Sequence, residues 1–436
     1  MKLLLWILTV YALGLTAISA QPTDTLELAD ALQIGIENNL NIKIAKQDVL
    51  IASNFNTLGF AGFLPVVGAN VGKRYTVENT NQKFISGQEQ NVQGAKSNAL
   101  TGLVAIDWTL FDGARMFYAK ERLNEAERLS ILQNKAVAQQ VIARISIEFY
   151  TVALEQLRLG LLEQNIELSQ DRLEIAKNKY EFGKVSKLEY LQAQVDLNRD
   201  ISNAMIQQER LAASKAILNE LLARDVTMDF TVVFDPSLNF DLHYEELRAA
   251  LAESNPQLSV AQSRVQIASL ERREVMGERL PEIGVNLGYN YARSEAEAGF
   301  LLSRQASGIN YGVTATWNLF NGFTINRRIE IARIAQETRE LDREVLLLNL
   351  ERDLYSVYLN YQNNIQLRQL EDDNRTVAKE NSDISIERYR VGASSFLELR
   401  EAQINLLEAN LRFLNAAYSV KTAEIDLLLL AGKIVY

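Results

Sequence analysis

About 70 consecutive residues, from Gly113 to Gly183, hold no proline and one interior glycine, Gly160. As one α-helix they span roughly 105 Å at 1.5 Å per residue, several times a typical globular helix. The stretch recurs. A shift of 209 positions lays Trp108 on Trp317, Leu110-Phe111 on Leu319-Phe320 and Gly113 on Gly322. Without a gap it also lays Tyr180 on Tyr389, Gly183 on Gly392, Leu188 on Leu397 and Gln194 on Gln403. Two very long helices, each entered through Trp-x-Leu-Phe-x-Gly and closed by Tyr-x-x-Gly, mean one architecture built twice.

Composition narrows what that architecture does. Among 436 residues there is no cysteine, which excludes disulfides, zinc-thiolate sites, thiol catalysis and a thioether-linked lipid anchor. The single histidine, His243, reads as structural. A net charge of −10 argues against a nucleic-acid partner, because phosphate neutralisation needs basic patches. The five prolines, Pro22, Pro65, Pro236, Pro256 and Pro281, all avoid the long stretches, as helix geometry requires. Lys2, the apolar run Leu3 to Leu15 and the small residues Thr16 to Ala20 read as an export signal. That run is too short for the roughly 20 residues of a transmembrane helix, so the mature chain is expected to begin near Gln21.

From Thr23 to Phe63 the pattern predicts two helices, with Thr25, Leu28, Ala29, Leu32 and Ile36 on one stripe. Asn38-Asn39 interrupts them, and Ile42 to Phe55 resumes the pattern. The second half mirrors this at an offset of 216, where Asn255-Pro256 stands for Asn39-Leu40 and Leu280-Pro281 for Leu64-Pro65. Pro256 suits a first helical turn, with Asn255 as its cap. After each Leu-Pro the period changes to two. Val285, Leu287, Tyr289 and Tyr291 alternate with Asn286, Gly288 and Asn290; Ile309, Tyr311, Val313, Ala315, Trp317 and Leu319 alternate with Asn310, Gly312, Thr314, Thr316 and Asn318. The first half repeats the pattern, with Ala69, Val71 and Tyr75 and then Val104, Ile106, Trp108 and Leu110 in the apolar phase. Lys73 is the exception. Polar, loop-like stretches are expected near Glu78 to Asn98 and Ser294 to Ser307. Strands of about ten residues suit a tilted crossing of a bilayer. Asn286, Asn290, Asn310, Thr314 and Thr316 would then line a watery lumen. Four strands cannot close a membrane barrel, and an open edge in lipid leaves backbone groups unsatisfied. The chain must therefore associate, and three copies would give twelve strands.

Gly183 and Gly392 fit the left-handed residue that closes a helix, and Ser186 and Ser395 can cap the next. The returning helices, about Lys187 to Ala223 and Ser395 to Leu430, carry coiled-coil spacing. One series runs through Leu197, Ile201, Ala204, Leu211, Leu218 and Leu222. The other runs through Ile404, Leu407, Leu411, Leu414, Tyr418, Ile425 and Leu428. Each tip thus joins two antiparallel helices. The chain divides into a signal peptide (1–20), helices of the first repeat (21–63), a strand pair (64–111) and a long helical hairpin (112–224). A linker (225–243), helices of the second repeat (244–280), a second strand pair (281–320) and a second long hairpin (321–436) complete it. The fold class is mainly α with a membrane β-barrel. A duplicated helix–strand–strand–helix unit gives four strands per chain, continued by long coiled-coil helices.

With these motifs in this order, the whole mature chain from Thr25 to Lys433 resembles the TolC-type outer-membrane efflux family. The resemblance implies a homotrimer with a twelve-stranded outer-membrane barrel and an α-helical barrel that crosses the periplasm and closes at its inner tip. It implies a passive channel-tunnel for efflux of toxic small molecules or for polypeptide secretion, with no catalysis, no cofactor and no metal. Its partners would be outer-membrane lipid, a periplasmic adaptor (membrane-fusion) protein and an inner-membrane transporter. The family closes its tip through carboxylates after the second Tyr-x-x-Gly turn. Glu398 and Glu401 stand there, spaced i, i+3 on one helix face, and three chains would make two acidic rings that bias a pore toward cations. The family's archetype has aspartates at these positions. A link between hairpins is expected from Tyr389 to Glu189. The archetype's second link uses an arginine where this chain has Ser394, with Leu188 in place of the partner hydroxyl, so that link is absent. Gln192 occupies the first-repeat position of Glu401, so no matching acidic ring is expected there. Gly183, Lys184, Val185, Gly392, Ala393 and Ser394 would form the tips that meet the adaptor.

A non-pore periplasmic coiled-coil scaffold is the alternative. Four strands with Asn and Thr on one face speak against it. An envelope enzyme has no nucleophile–base set, metal cluster or phosphate loop to support it.

Overall fold

The structure, a computed structural model, describes residues 24–233 and 241–434. The expected signal peptide and the Asp235-Pro236 turn lie outside the described residues. The first repeat runs β1 (Asp24–Leu26), α1 (Leu28–Asn38), α2 (Leu40–Phe55), β2 (Val66–Lys83), β3 (Glu89–Asp112), α3 (Arg115–Glu181), α4 (Lys187–Leu221) and β4 (Phe230–Val232). The second runs α5 (Tyr244–Ser254), α6 (Pro256–Gly277), β5 (Glu282–Ala296), β6 (Ser303–Thr316), α7 (Thr324–Arg390) and α8 (Phe396–Leu430). Two compact units emerge. One holds residues 44–136 and 256–349; the other holds residues up to 43, 137–255 and from 350 onward.

The first unit contains an antiparallel sheet in the order β2-β3-β5-β6. Its pairing obeys the repeat offsets: Val66 opposes Asp107 as Glu282 opposes Thr316, and Gly68 opposes Ala105 as Gly284 opposes Thr314. On one face asparagines lie over glycines of the neighbouring strand. Asn286 opposes Gly312 and Asn310 opposes Gly288, and Asn290 Nδ2 donates to Asn310 Oδ1 at 2.7 Å. A Cβ on Gly288 would sit 2.7 Å from the Asn310 side chain. The opposite face carries Val285, Leu287, Tyr289 and Tyr291.

The strands are longer than the expected ten residues: β2 has 18 and β3 has 24. The stretches expected as loops are instead mostly paired, from Glu78 with Ala95 to Lys83 with Glu89 and from Arg293 with Gln305 to Glu295 with Ser303. Period-two hydrophobicity marks a strand only where one face is apolar. Beyond Tyr75 polar residues dominate both faces, so the alternation vanishes while the pairing continues. Tyr75 opposes Asn98, ten residues before Trp108. At about 3.4 Å per residue and a usual barrel tilt this stretch rises about 26 Å, close to the roughly 25 Å apolar band of an outer-membrane barrel. The second strand of repeat two ends at Thr316, short of the expected Leu319.

The repeat motifs also meet one another. The Trp108 indole N–H donates to Phe63 O at 2.9 Å, and the Trp317 indole to Arg279 O at 3.0 Å. Each tryptophan therefore satisfies the carbonyl before its own Leu-Pro, where the following residues have left the helix.

In the second unit Thr25 is not helical. It belongs to β1, which pairs in parallel with β4. Leu26, Phe230 and Val232 are buried there with Ile145, Phe149, Leu218 and Leu222. Asn39 and Asn255, read from sequence as an interruption and a cap, hold helix ends together. Asn39 Oδ1 accepts from Asn41 N and Ile42 N, while its Nδ2 donates to Leu221 O at 2.8 Å. Asn255 Nδ2 donates to Leu430 O at 2.9 Å. Each amide satisfies a terminal carbonyl that its helix leaves open.

α3 and α7 contain 67 residues each, and α4 and α8 contain 35 each. A 67-residue helix is roughly 100 Å long. No described helix is long and apolar enough to cross a membrane.

Candidate functional site

The two long hairpins turn in the same way. Lys184 N bonds Lys179 O and Gly183 N bonds Tyr180 O; Ala393 N bonds Arg388 O and Gly392 N bonds Tyr389 O. This paired pattern closes a helix through a residue with positive φ, and Gly183 (φ 67°) and Gly392 (φ 79°) supply it. The caps differ. Ser395 Oγ accepts from Glu398 N at 3.2 Å, whereas Ser186 makes no side-chain cap bond, contrary to expectation. Gly183, Lys184, Gly392 and Ala393 are exposed, and Val185 and Ser394 are half-buried. Their neighbours carry no signal in the sequence beyond being apolar. Phe182 is 79% exposed and Val391 80% exposed, an apolar residue beside each tip glycine.

Just inside the tips, the geometry joins the hairpins. Tyr389 is 1% exposed, packed with Ala176, Ala193, Phe396 and Leu399. Its hydroxyl donates to Glu189 Oε1 at 2.7 Å. The Lys179 ammonium lies 3.5 Å from the Tyr389 ring centroid and donates to Tyr389 O at 2.6 Å. Burial pushes the Tyr389 phenol well above the ordinary tyrosine range, and the hydrogen bond to Glu189 acts the same way. Burial pulls Lys179 down, with Glu189 opposing.

About two turns further from the tip lies a polar cluster that sequence reasoning missed. Arg172 on α3 is 2% exposed. It donates to Gln403 Oε1 on α8 and to Ser169 Oγ at 3.1 Å. Ser169 Oγ donates to Asp200 Oδ2 on α4 at 2.5 Å. Arg400 Nε on α8 lies 3.0 Å from Asp196 Oδ2, and Arg199 reaches Asp196 at 3.3 Å. Burial lowers the Arg172 pKa, and Asp196 and Asp200 counter it. The guanidinium stays charged even so.

This cluster corrects the coiled-coil register expected for α4. Leu211, Leu218 and Leu222 are buried as expected, but Ile201 is exposed. Toward the tip the buried face is Ala193, Asp196, Asp200 and Gln207. Asp196 and Asp200, spaced i, i+4, read as a solvated face when α4 is viewed alone. The signal that could have found them is the coincidence of two acids on α4 with arginines at 172 and 400 on facing helices.

Glu398 and Glu401 are both exposed on one face of the first turns of α8, and Gln192 is exposed. The lumen candidates Asn286, Asn290, Asn310, Thr314 and Thr316 share one exposed face of the sheet.

Comparison with known proteins follows the same lines. Residues 247–433 match the family model described as outer membrane efflux protein. The protein CyaE of Bordetella pertussis is 23% identical over 438 residues, covering 95% of this chain and 86% of that protein. Among solved structures, the CmeC outer membrane channel of Campylobacter jejuni superposes with a TM-score of 0.78 at 15% identity, over 93% of this chain and 85% of that one. CusC, studied for transmembrane channel formation, gives 0.77 at 15% identity, over 93% of this chain and 92% of that one. At these identities the structures establish the fold.

Proposed function

We propose that this chain, which carries an outer membrane efflux protein domain and has the fold of outer-membrane channels, works as a homotrimeric exit duct. The observation that carries the proposal is the sheet. It is open at β2 and β6, apolar on one face and Asn, Gly and Thr on the other. Lipid cannot satisfy the backbone groups of an open edge, so the sheet has to close with other copies. Three chains supply twelve strands, an interior wide enough for a channel. A scaffold without a pore has no use for such a sheet.

Helices of roughly 100 Å suit a conduit that carries cargo across the periplasm. The duct does no chemistry of its own. A periplasmic adaptor meets the tips at Gly183, Lys184, Val185, Gly392, Ala393 and Ser394, with Phe182 and Val391 as its apolar anchors. An inner-membrane transporter supplies the energy and the cargo, either toxic small molecules or a secreted polypeptide. Glu398 and Glu401 form acidic rings at the tip, and the exposure of both side chains supports this reading. The Tyr389–Glu189 bond and the Arg172–Asp196–Arg400 cluster tie the two hairpins of a chain and hold the tip narrow. The cluster takes the place of the arginine link whose residues this chain lacks.

Reconstitution into planar bilayers tests the proposal. A detergent-dependent trimer with a cation-selective current is expected, and Glu398→Ala/Glu401→Ala should reduce the selectivity. Protein that stays in buffer without detergent and carries no current would return the scaffold to the front. A current indifferent to the double substitution would keep the duct and remove the acidic rings.

A further inference from the structure

Each chain already contains one junction between a first and a second repeat. It is the pairing of β3 with β5, and it provides a template for the junction between copies. Within a repeat the pairing follows the offsets of 209 and 216 residue by residue, so β6 corresponds to β3 and β2 to β5. Applying both offsets to the β3–β5 register yields a register for the two free edges. Resting on the trimeric channel reading, we infer that β6 of one copy pairs antiparallel with β2 of the next so that Thr316 opposes Asn70.

Asp107 opposes Asn286 within the chain; adding 209 and subtracting 216 gives Thr316 and Asn70. Ile106 with Leu287 becomes Ala315 with Val71. Gly102 with Tyr291 becomes Tyr311 with Tyr75, and Leu100 with Arg293 becomes Ile309 with Val77. Two of these pairs are chemically matched, while Val104 with Tyr289 becomes Val313 with Lys73, an apolar residue against an ammonium. In the matched pairs an aromatic faces an aromatic and one β-branched residue faces another, the combinations that stabilise adjacent strands. All four are strongly exposed in the single chain: Tyr311 83%, Tyr75 68%, Ile309 70% and Val77 67%. The corresponding intrachain pair, Leu100 with Arg293, is mixed.

Three independent features mark these edges as incomplete. β3 continues through Trp108 to Asp112 because β5 pairs with it as far as Glu282. β6 stops at Thr316 although Trp-x-Leu-Phe follows there too. The derived register supplies the missing partner, since Phe111 with Ile283 becomes Phe320 with Val67. Phe320 is 73% exposed where Phe111 is half-buried. Gly113 lies against the Gly277 backbone, while its counterpart Gly322 faces nothing within 4 Å. The Arg122–Glu274 ion pair at 2.7 Å has Ile331 and Leu58 in its corresponding positions, 65% and 51% exposed. The chain thus uses an ion pair inside itself and apolar residues where copies meet.

The absence of cysteine makes the test clean. Directly opposed residues lie about 4.5–5.5 Å apart at Cα, within the roughly 4.4–6.8 Å that a disulfide spans. A two-residue slip on the same face adds about 6.8 Å along the strand. Full-length Thr316→Cys/Asn70→Cys, oxidised in the membrane, should give a ladder of linked chains ending at three. Thr316→Cys/Gly72→Cys should link at least about tenfold less, given that distance range. Ala315→Cys/Val71→Cys on the opposite face should repeat the ladder if the first pair disturbs folding. A conducting trimer that links only through the slipped pair would overturn the register and leave the channel intact. A chain that stays single in detergent and carries no current would overturn both. A ladder that passes three chains would overturn the closure at three copies while upholding the pairing.

Discussion

Tyr180 and Tyr389 open the same Tyr-x-x-Gly turn in the two repeats and meet opposite fates. Tyr389 is 1% exposed and bonded to Glu189. Tyr180 is 38% exposed and stacks on Tyr190 at 6.0 Å with nearly parallel rings. The neighbours explain the difference. Phe396 and Leu399 bury Tyr389, whereas the corresponding first-repeat positions hold Lys187 and Tyr190. The polar cluster divides along the same line. Asp196 and Asp200 come from the first hairpin's returning helix and Arg400 and Gln403 from the second's. The two copies contribute unlike residues to each shared bond: Arg172 of the first donates to Gln403 of the second, and Arg400 of the second pairs with Asp196 of the first. The hairpins bond to each other because they are no longer alike.

The largest expected effect is at Arg172. Arg172→Ala leaves Gln403 and Ser169 without their buried donor and takes the positive charge away from buried Asp196 and Asp200, and breaking a buried charged set costs about 3 kcal/mol. Thermal melting of the helical circular dichroism signal reads it. The corresponding second-repeat residue, Asn381, is exposed, and Asn381→Ala should stay within about 0.5 kcal/mol. Equal losses at both positions would break the comparison.

Next comes Tyr389→Phe, which removes a hydrogen bond to a charged acceptor and should cost about 2 kcal/mol. Tyr180→Phe should cost less than about 0.5 kcal/mol. The same tyrosine sets a pH limit. Its folded pKa is raised, so the stabilisation is whole below about pH 10, the value in an unfolded chain. It is lost as pH rises from there through the folded value. The tyrosinate absorbance of wild type minus that of Tyr389→Phe should leave one group that ionises above about pH 10. A difference that titrates lower would contradict the buried link. The smallest effect separates the caps. Ser395→Ala should cost about 1 kcal/mol and Ser186→Ala a few tenths, because only Ser395 caps its helix.

The long helices, the sheet and the tip turns were legible because each rests on a local signal: absence of proline, a change of period, a glycine at a helix end. Tyr389 and Glu189 came from the resemblance, and the structure brings them to 2.7 Å within one chain. What escaped was set by contacts between distant segments. β1 has three residues and exists only because β4 pairs with it. The polar ends of β2 and β3 lack a dry face. The Arg172 cluster is spread over three helices, each of which reads alone as an ordinary charged surface. The paired roles of Asn39 and Asn255 needed the ends of α4 and α8 beside them.

In the proposed duct, the second repeat holds the tip narrow through Tyr389. Single-channel conductance of the trimer in planar bilayers, wild type beside Tyr389→Phe and Tyr180→Phe, tests it most directly. A small wild-type current that rises in Tyr389→Phe and stays unchanged in Tyr180→Phe is the predicted result. Three equal conductances would show that the tip is held elsewhere and that the Tyr389–Glu189 bond is only packing.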